Sequence, residues 1–248
     1  MITVIGNLKG GCGKSTMAFN LAVWLASKGR DVVAFDLDPQ ATLSDVLEVR
    51  RDEGVKPEVR VFRAESDPIK VFKQYADGEI IVDVGASNLW AMRQAIAIAD
   101  RIVIPVPPSQ ADVWSTQRFL NIVQEIFQNR ELNSQEKEPK GKGQKKAAKP
   151  AVVVFVNRAD THPGLRESEE TAAALSALEG VELLEHRICQ RTSYRRSFSE
   201  GRAVFELSGD PKSAQEFFRL AEALYPSPDS ARPREKKMKK TKEAKVHA

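Results

Sequence analysis

The chain has 248 residues, of which 42% are hydrophobic and 29% charged, and its formal net charge is +4. This length is sufficient for one buried core, and with only two cysteines, Cys12 and Cys189, we expect neither a disulfide framework nor a zinc site. No stretch approaches the ~18 apolar residues of a membrane-spanning helix, and no charged targeting segment precedes the first apolar run, so we expect a cytoplasmic protein.

Apolar runs and helical patterns alternate along the chain. Strands are predicted at 2–6, 31–36, 59–63, 79–84, 101–106, 151–156 and 182–188, and helices at 15–28, 67–76, 88–98, 111–131, 165–179 and 212–224. This alternation predicts an α/β fold, with a mostly parallel twisted sheet and helices on both faces. In such sheets, ligands bind outside the carboxyl ends of the strands.

A glycine-rich loop follows the first predicted strand and leads into the first predicted helix. Glycines allow successive backbone N–H groups to turn toward one anion, and the helix N-terminus adds a favourable field. We therefore predict a phosphate-binding loop in which Lys14 reaches the β- and γ-phosphates of ATP and the Ser15 hydroxyl binds Mg²⁺. Cys12 is expected mainly as a small packing residue. The predicted nucleotide-binding residues of the loop are Lys9, Gly10, Gly11, Cys12, Gly13, Lys14, Ser15 and Thr16.

The loop departs from the ordinary G-x-x-x-x-G-K-[ST] pattern, because Leu8 replaces the first glycine and Lys9 adds a second lysine. In this respect residues 7–16 resemble the deviant Walker A motif of the ParA/MinD family of ATPases, which are SIMIBI-like P-loop NTPases. The resemblance implies that Lys9 crosses a homodimer interface to the partner's phosphates, where an added cation can accelerate phosphoryl transfer by roughly 10³–10⁵. Lys9 and Lys14 are therefore predicted catalytic residues. The alternative for Lys9 is an ordinary exposed lysine beside a nucleotide.

Carboxylates end two of the predicted strands. Residues 36–40 read Asp-Leu-Asp-Pro-Gln and resemble the D-x-D-P-Q motif of the same family. The resemblance implies that Asp36 lies near the Mg²⁺ ion and that Asp38, a third catalytic residue, orients or activates the attacking water. Asp83 ends the strand 79–84 and resembles a Walker B carboxylate that holds Mg²⁺ through water. By itself, such an aspartate is more often a turn or cap residue.

Two later segments also resemble ParA relatives. Residues 105–112 open a long helix whose family counterpart borders the nucleotide and the dimer interface. Asp112 is expected to cap this helix or, alternatively, to contact the partner subunit. Asn157 and Arg158 follow the strand 151–156, at the place where the family holds the adenine base. An Asn amide can both donate to and accept from the edge of a base.

The segment 187–202 is rich in arginine and contains no acid before Glu200. The spacing of Arg191, Arg195 and Arg196 places them on or near one helical face, and several such arginines suit contacts with DNA phosphates. The segment resembles the one that follows the last core strand of ParA proteins, which implies that it binds non-specific DNA; Arg187 belongs to the same set. The alternative is a solvated helix face that pairs with acids from elsewhere in the chain.

Positive charge is concentrated in two further segments. Residues 135–150 contain six lysines and two glutamates, and residues 231–248 contain eight lysines or arginines and two glutamates, so the rest of the chain has a net charge of −6. Both segments are polar, which predicts disorder. We expect one ATPase domain over 1–226 with a disordered insertion at about 135–150, and a disordered tail over 227–248. The two segments either increase solubility or tether the protein weakly to DNA or another polyanion.

The resemblance covers about 1–134 and 150–225. It implies a Mg²⁺-dependent ATPase that forms a homodimer with ATP, binds nucleoid DNA and positions or segregates a cargo. A cargo-bound ParB-like or adaptor protein would stimulate its weak hydrolysis. The cargo implied is either a plasmid or chromosome, or a protein organelle such as the carboxysome.

Three other classes of protein share the deviant loop or its chemistry. A membrane-associated, MinD-like regulator would need an amphipathic C-terminal helix, but after Tyr225 only Met238 and Val246 are sizeable apolar residues, so we expect no membrane partner. A reductase of the nitrogenase iron-protein type would need cluster-binding cysteines outside the loop, for which Cys189 is the only candidate. A small-molecule kinase or synthetase remains an open alternative.

Overall fold

Eight parallel strands form the sheet in the part of the chain that the computed structural model describes, residues 1–63, 72–75, 77–136, 149–162 and 165–226. The strands are β1 (Ile2–Ile5), β2 (Val32–Asp36), β3 (Arg60–Arg63), β4 (Glu79–Asp83), β5 (Arg101–Val106), β6 (Ala151–Ala159), β7 (Glu182–Leu183) and β8 (Ile188–Cys189). Their order across the sheet is β3-β2-β4-β1-β5-β6-β7, and β8 pairs with the end of β6.

Helices cover both faces of this sheet. They are α1 (Lys14–Ser27), α2 (Thr42–Asp52), α3 (Leu89–Ile98), α4 (Gln110–Glu136), α5 (Glu167–Ser176), α6 (Thr192–Glu200) and α7 (Pro211–Leu224). Apolar residues of α1, α2 and α7 pack on one face, and those of α3, α4 and α5 pack on the other. The predicted α/β fold is therefore confirmed. None of the helices described here has the length and apolar character needed to span a bilayer.

Several predicted elements differ from those observed. Helix α2 was not predicted, because its buried face places Arg50 where the apolar pattern of Leu43, Val46 and Leu47 should continue. The strand predicted at 182–188 is wrong as one element: it is two separate two-residue strands. Most of the helix predicted at 67–76 lies outside the described residues, and Lys73–Tyr75 is a single 3₁₀ turn. Most of the predicted insertion and the whole of the predicted tail are also outside the described range.

The sheet order brings three chain segments to one edge. β2 pairs with β4 and β4 pairs with β1, all in parallel, so the loop after β1 and the residues that end β2 and β4 lie side by side. Asp36 and Asp83 are register partners across β2 and β4. The topology thus gathers the glycine-rich loop and both carboxylates at the carboxyl ends of the strands, where ligands bind in open α/β sheets.

Arg50 ties helix α2 to a distant part of the chain. Its side chain is 1% exposed and makes a two-pronged ion pair with Glu206, with N···O distances of 2.6 and 2.8 Å. The guanidinium also donates to the carbonyls of Gly201 (3.0 Å) and Pro57 (2.9 Å). These hydrogen bonds replace the hydration that the Arg50 guanidinium loses on burial. The buried guanidinium is therefore stable only while its acceptors remain in place.

We expect Arg50→Ala to lower the free energy of unfolding by about 3 kcal/mol, because it leaves the Glu206 carboxylate without its counter-ion and two carbonyls without their donor. Urea unfolding monitored by circular dichroism measures the change. Arg51→Ala is the matched control: this neighbouring arginine is exposed and pairs only with exposed acids, so we expect a loss below about 1 kcal/mol. Equal losses for the two variants would contradict the role given to Arg50.

Candidate nucleotide-binding site

The loop between β1 and α1 has the backbone shape of an anion cradle. Gly11 and Gly13 adopt left-handed conformations, with φ of 74° and 96°, which residues with a side chain rarely adopt. Lys14 is the first residue of α1 and is buried, and its Nζ donates to the carbonyl oxygen of Lys9 at 3.0 Å. The thiol of Cys12 is buried against the same carbonyl, and burial raises its pKa. The loop therefore folds around the Lys14 ammonium.

Asp83 is a buried carboxylate that has no hydrogen-bond partner among the residues that the structure describes. It is 0% exposed, and neither oxygen accepts a hydrogen bond of normal geometry. Burial raises the pKa of Asp83 to about 7; the Ser15 hydroxyl and Lys14 act in the opposite direction. An uncompensated carboxylate beside a phosphate-type loop is a suitable ligand for a hard divalent cation. Asp83 and Ser15 therefore fit the Mg²⁺ site predicted for them.

Asp36 has a different environment from Asp83. One oxygen accepts from the backbone N–H of Ser44 at 2.8 Å, and the other accepts from that of Asp38 at 3.2 Å. Burial raises the pKa of Asp36, and these hydrogen bonds lower it. The carboxylate thus holds the loop between β2 and α2 and the first turn of α2, in addition to lying beside Asp83. No local sequence pattern indicated the contact with Ser44.

Asp38 stands at the rim of the site. Its Oδ1 accepts from the backbone N–H of Gln40 at 3.0 Å, and the side chain is half-buried. It packs directly on Gly85, where an added Cβ would lie 2.3 Å from the Asp38 Cγ. Only glycine at position 85 allows this approach. The site therefore brings together Asp36, Asp38 and Asp83 as the sequence predicted.

Lys9 lies on the outer side of the loop and is partly exposed. Its Nζ pairs with Asp112 Oδ2 at 3.0 Å, with 41% of the Lys9 side chain exposed and 6% of that of Asp112. The prediction that Asp112 caps α4 is wrong: Ser109 Oγ accepts from the Asp112 N–H at 3.1 Å and occupies the capping position. The Asp112 carboxylate instead binds Lys9 and the Ser109 hydroxyl.

Asn157 and Arg158, at the end of β6, contact the loop. Asn157 Nδ2 donates to the carbonyl of Cys12 at 2.7 Å, and Arg158 donates to the carbonyl of Gly11 at 2.8 Å. Beside them a cleft of about 310 Å³ extends from Gly13 and Thr16 to β8 and α6. A cleft that begins at the loop and ends against apolar and polar side chains is suited to the base and sugar of a nucleotide.

The arginines of the segment 187–202 do not form one unpaired cluster. Arg187 pairs with Glu169 at 2.8 Å, Arg191 with Glu216 at 2.5 Å, and Arg196 with Glu200 at 2.8 Å. The acids of the first two pairs lie in α5 and α7 and are not visible from the local sequence. The fourth arginine predicted to bind DNA, Arg195, makes no ion pair within the described parts of the chain. It lines the cleft together with Arg191.

The chain matches the model of the CobQ/CobB/MinD/ParA nucleotide-binding domain over residues 3–204. It belongs to this family. The chain is 28% identical over 227 residues to the maintenance of carboxysome distribution protein A of Halothiobacillus neapolitanus, covering 90% of this chain and 95% of that protein. It is 31% identical over 206 residues to the protein ParA of Rhizobium radiobacter, covering 81% and 83%.

A solved structure confirms the fold. The apo McdA structure from Cyanthece superimposes with a TM-score of 0.66 at 22% identity, over 90% of this chain and 98% of that chain. The glycine-rich loop and the three carboxylates all fall within the residues matched by the family model. The deviation of the loop at Leu8 and Lys9 thus occurs within a recognised nucleotide-binding domain.

We expect Asp83→Asn to stabilise the nucleotide-free protein in EDTA at pH 8 by roughly 1–3 kcal/mol, because it removes a buried unpaired charge. Between the ordinary aspartate pKa of 3.8 and about 7, the folded state binds a proton that the unfolded chain does not bind. The free energy of unfolding therefore falls as pH rises through this window, and the advantage of the variant should vanish near pH 4.

Urea unfolding at pH 4, 6 and 8 measures this dependence. Asp52→Asn, which changes an exposed aspartate, is the control and should show no comparable gain at pH 8. A wild-type protein more stable than Asp83→Asn at pH 8 without Mg²⁺ would contradict the assignment of an uncompensated charge to Asp83.

Proposed function

We propose that this protein is a Mg²⁺-dependent ATPase of the partition and positioning type, which dimerises with ATP, binds non-specific DNA and moves a cargo. The observation that carries the proposal is the second lysine of the loop. Lys9 is partly exposed beside a buried Lys14, so the loop offers one ammonium to its own nucleotide and a second to a facing molecule.

The residues at the sheet edge have separable roles in ATP hydrolysis. The backbone N–H groups of residues 10–15 and the Lys14 ammonium bind the phosphates, while Ser15 and Asp83 hold Mg²⁺, with Asp36 beside them. Asp38, at the half-exposed rim, orients the attacking water. Mg²⁺, when bound, neutralises negative charge on the phosphates. Asn157 and Arg158 adjoin the cleft for the base.

Dimerisation requires Lys9 to leave Asp112 for the partner's phosphates. Lys9 is partly exposed, but the Asp112 side chain is only 6% exposed, so moving Lys9 leaves a buried carboxylate with the Ser109 hydroxyl as its described partner. The attraction between Lys9 and the partner's polyphosphate has to offset this cost. Large exposed apolar residues also occur near the starts of the two helices that begin near this edge: Leu89 and Trp90 in α3, and Trp114 in α4, two residues after Asp112. Such residues are more common at protein interfaces than on free surfaces, which supports a second copy docking here.

DNA binding is assigned first to Arg195, since it has no acidic partner among the described residues and is exposed. Arg187, Arg191 and Arg196 would each have to leave an acid, so we propose smaller contributions from them. The basic segments 135–150 and 231–248 add sequence-independent attraction. Joining two such surfaces in a dimer raises the affinity through multivalency, which makes DNA binding depend on the ATP state.

The cargo belongs to one of two classes, because the chain resembles both a carboxysome distribution protein and a ParA protein over most of its length. In either case we propose that a cargo-bound partner, ParB-like or an adaptor, stimulates hydrolysis and releases the subunits from the nucleoid. The identity of neighbouring genes distinguishes the classes: a small DNA-binding protein favours segregation, and shell-protein genes favour an organelle.

We expect Lys9→Ala to remain a monomer with ATP and Mg²⁺ under conditions in which the wild-type protein dimerises, because the partner's phosphates lose their added cation. Sedimentation velocity with ATP, with ADP and without nucleotide measures the assembly state. Lys28→Ala is the control, since Lys28 follows α1 at the opposite end of that helix and should not affect dimerisation. ATP-dependent dimerisation of Lys9→Ala equal to that of the wild type would refute the crossing role.

We expect Arg195→Ala to weaken binding of the ATP-bound protein to duplex DNA equally for unrelated sequences. It should also reduce the slope of log K against log salt by about 1 for each subunit, because one phosphate contact is lost. Fluorescence anisotropy at several salt concentrations measures both effects. Arg93→Ala, which removes an arginine paired with Glu125 between α3 and α4, is the control. An unchanged slope for Arg195→Ala would remove this residue from the DNA surface.

A further inference from the structure

The end of β6 holds two carbonyl groups of the glycine-rich loop in fixed directions. Arg158 Nη1 donates to Gly11 O at 2.8 Å, and Asn157 Nδ2 donates to Cys12 O at 2.7 Å. A third carbonyl, that of Lys9, accepts from Lys14 Nζ at 3.0 Å. All three donors are side-chain groups. The direction of these carbonyls is therefore held by side chains and not by backbone hydrogen bonds of the loop.

Fixing these carbonyls also fixes the neighbouring amides. In a planar trans peptide, the C=O of one residue and the N–H of the next point in opposite directions. Holding Gly11 O and Cys12 O against β6 therefore turns the N–H groups of Cys12 and Gly13 away from β6. These N–H groups are among those that a phosphate-binding loop presents to its anion.

The backbone at Arg158 is strained. It has a φ of 57°, in the left-handed region that is unfavourable for a residue with a side chain. The register between β6 and β8 also shifts between Asn157 and Ala159, an irregularity that re-aims side chains. Such strain persists only where the surroundings impose it, and it concentrates at functional sites.

Two close contacts determine where this strained segment directs its side chains. Arg158 Nε donates to Gln190 Oε1 at 2.6 Å, so the guanidinium bridges the loop and the residue after β8. Asn157 lies so close to the loop that an added Cβ at Gly13 would be 2.3 Å from Asn157 Nδ2. Glycine at position 13 thus admits the Asn157 amide in addition to allowing a left-handed backbone.

We propose that Asn157 and Arg158 are positioning residues for the triphosphate, which preset the direction of the loop amides. This rests on the proposed function only in that the loop binds a nucleoside triphosphate. One donor of the Asn157 amide is directed at Cys12 O, and two donors of Arg158 are directed at Gly11 O and Gln190 Oε1.

The test compares MgATP with magnesium tripolyphosphate, which has the same phosphate chain and no nucleoside, by calorimetric titration of the full chain. Arg158→Ala and Arg158→Lys should each weaken the binding of both ligands by similar factors, about tenfold. Alanine removes both hydrogen bonds, and lysine keeps the charge but cannot bridge the two acceptors. Asn157→Leu, which removes the donor at similar size, should do the same. Arg118→Lys, an exposed change on α4, is the control and should bind both ligands like the wild type.

Three results would overturn the proposal. Variants that bind tripolyphosphate like the wild type but bind ATP more weakly would show contact with the nucleoside. Restoration of both affinities in Arg158→Lys would show simple attraction between charges. Failure of the wild-type protein to bind either ligand would instead refute the proposed function itself, and the positioning role with it. Because Arg158 is exposed, its variants test the proposal even if Asn157→Leu fails to fold.

Discussion

Two buried charges at the carboxyl edge of the sheet, the Lys14 ammonium and the Asp83 carboxylate, constrain the arrangement of the site. Charged groups are stable in a protein interior only when they are paired and hydrogen-bonded. Lys14 is hydrogen-bonded to the carbonyl of Lys9, whereas Asp83 has no hydrogen-bond partner among the described residues and its pKa is raised to about 7. A divalent cation bound together with a polyphosphate would supply the compensation that Asp83 lacks, and this links the carboxylate to the loop in the proposed site.

The second carboxylate of the edge connects this site to the rest of the molecule. Asp36 holds the backbone of Asp38 and Ser44, so it shapes the loop that presents Asp38 and fixes the start of α2. The other end of α2 is held by Arg50, which binds Gly201 and Glu206 just after α6. Helix α2 thus extends from Asp36 to the segment that carries the DNA-binding candidates.

The sequence predicted the features that depend on local motifs. The phosphate loop, the two aspartates at i and i+2 and the carboxylate of Asp83 each follow an apolar strand, and the parallel sheet brings them together as expected. The helix α2 was missed because a buried arginine interrupts its apolar face. Two of the partners that satisfy this arginine, Gly201 and Glu206, lie more than 150 residues later in the chain, which no local pattern reveals.

The arginine segment shows the same limitation. Its local sequence contains a single acid, Glu200, which pairs with Arg196, whereas the partners of Arg187 and Arg191 are Glu169 in α5 and Glu216 in α7. Likewise, the donors of Asn157 and Arg158 face loop carbonyls that lie about 145 residues earlier in the chain. Motifs therefore predicted which residues gather at the site, whereas their partners depended on tertiary contacts.

Binding of ATP to the full wild-type chain, titrated by calorimetry with Mg²⁺ and again with EDTA, tests the central claim most directly. If the buried Asp83 carboxylate and the loop form one Mg²⁺-triphosphate site, ATP binds with Mg²⁺ and at least about tenfold more weakly without it, since the metal compensates the carboxylate. Equal affinity in the two conditions, or no ATP binding in either, would contradict the account.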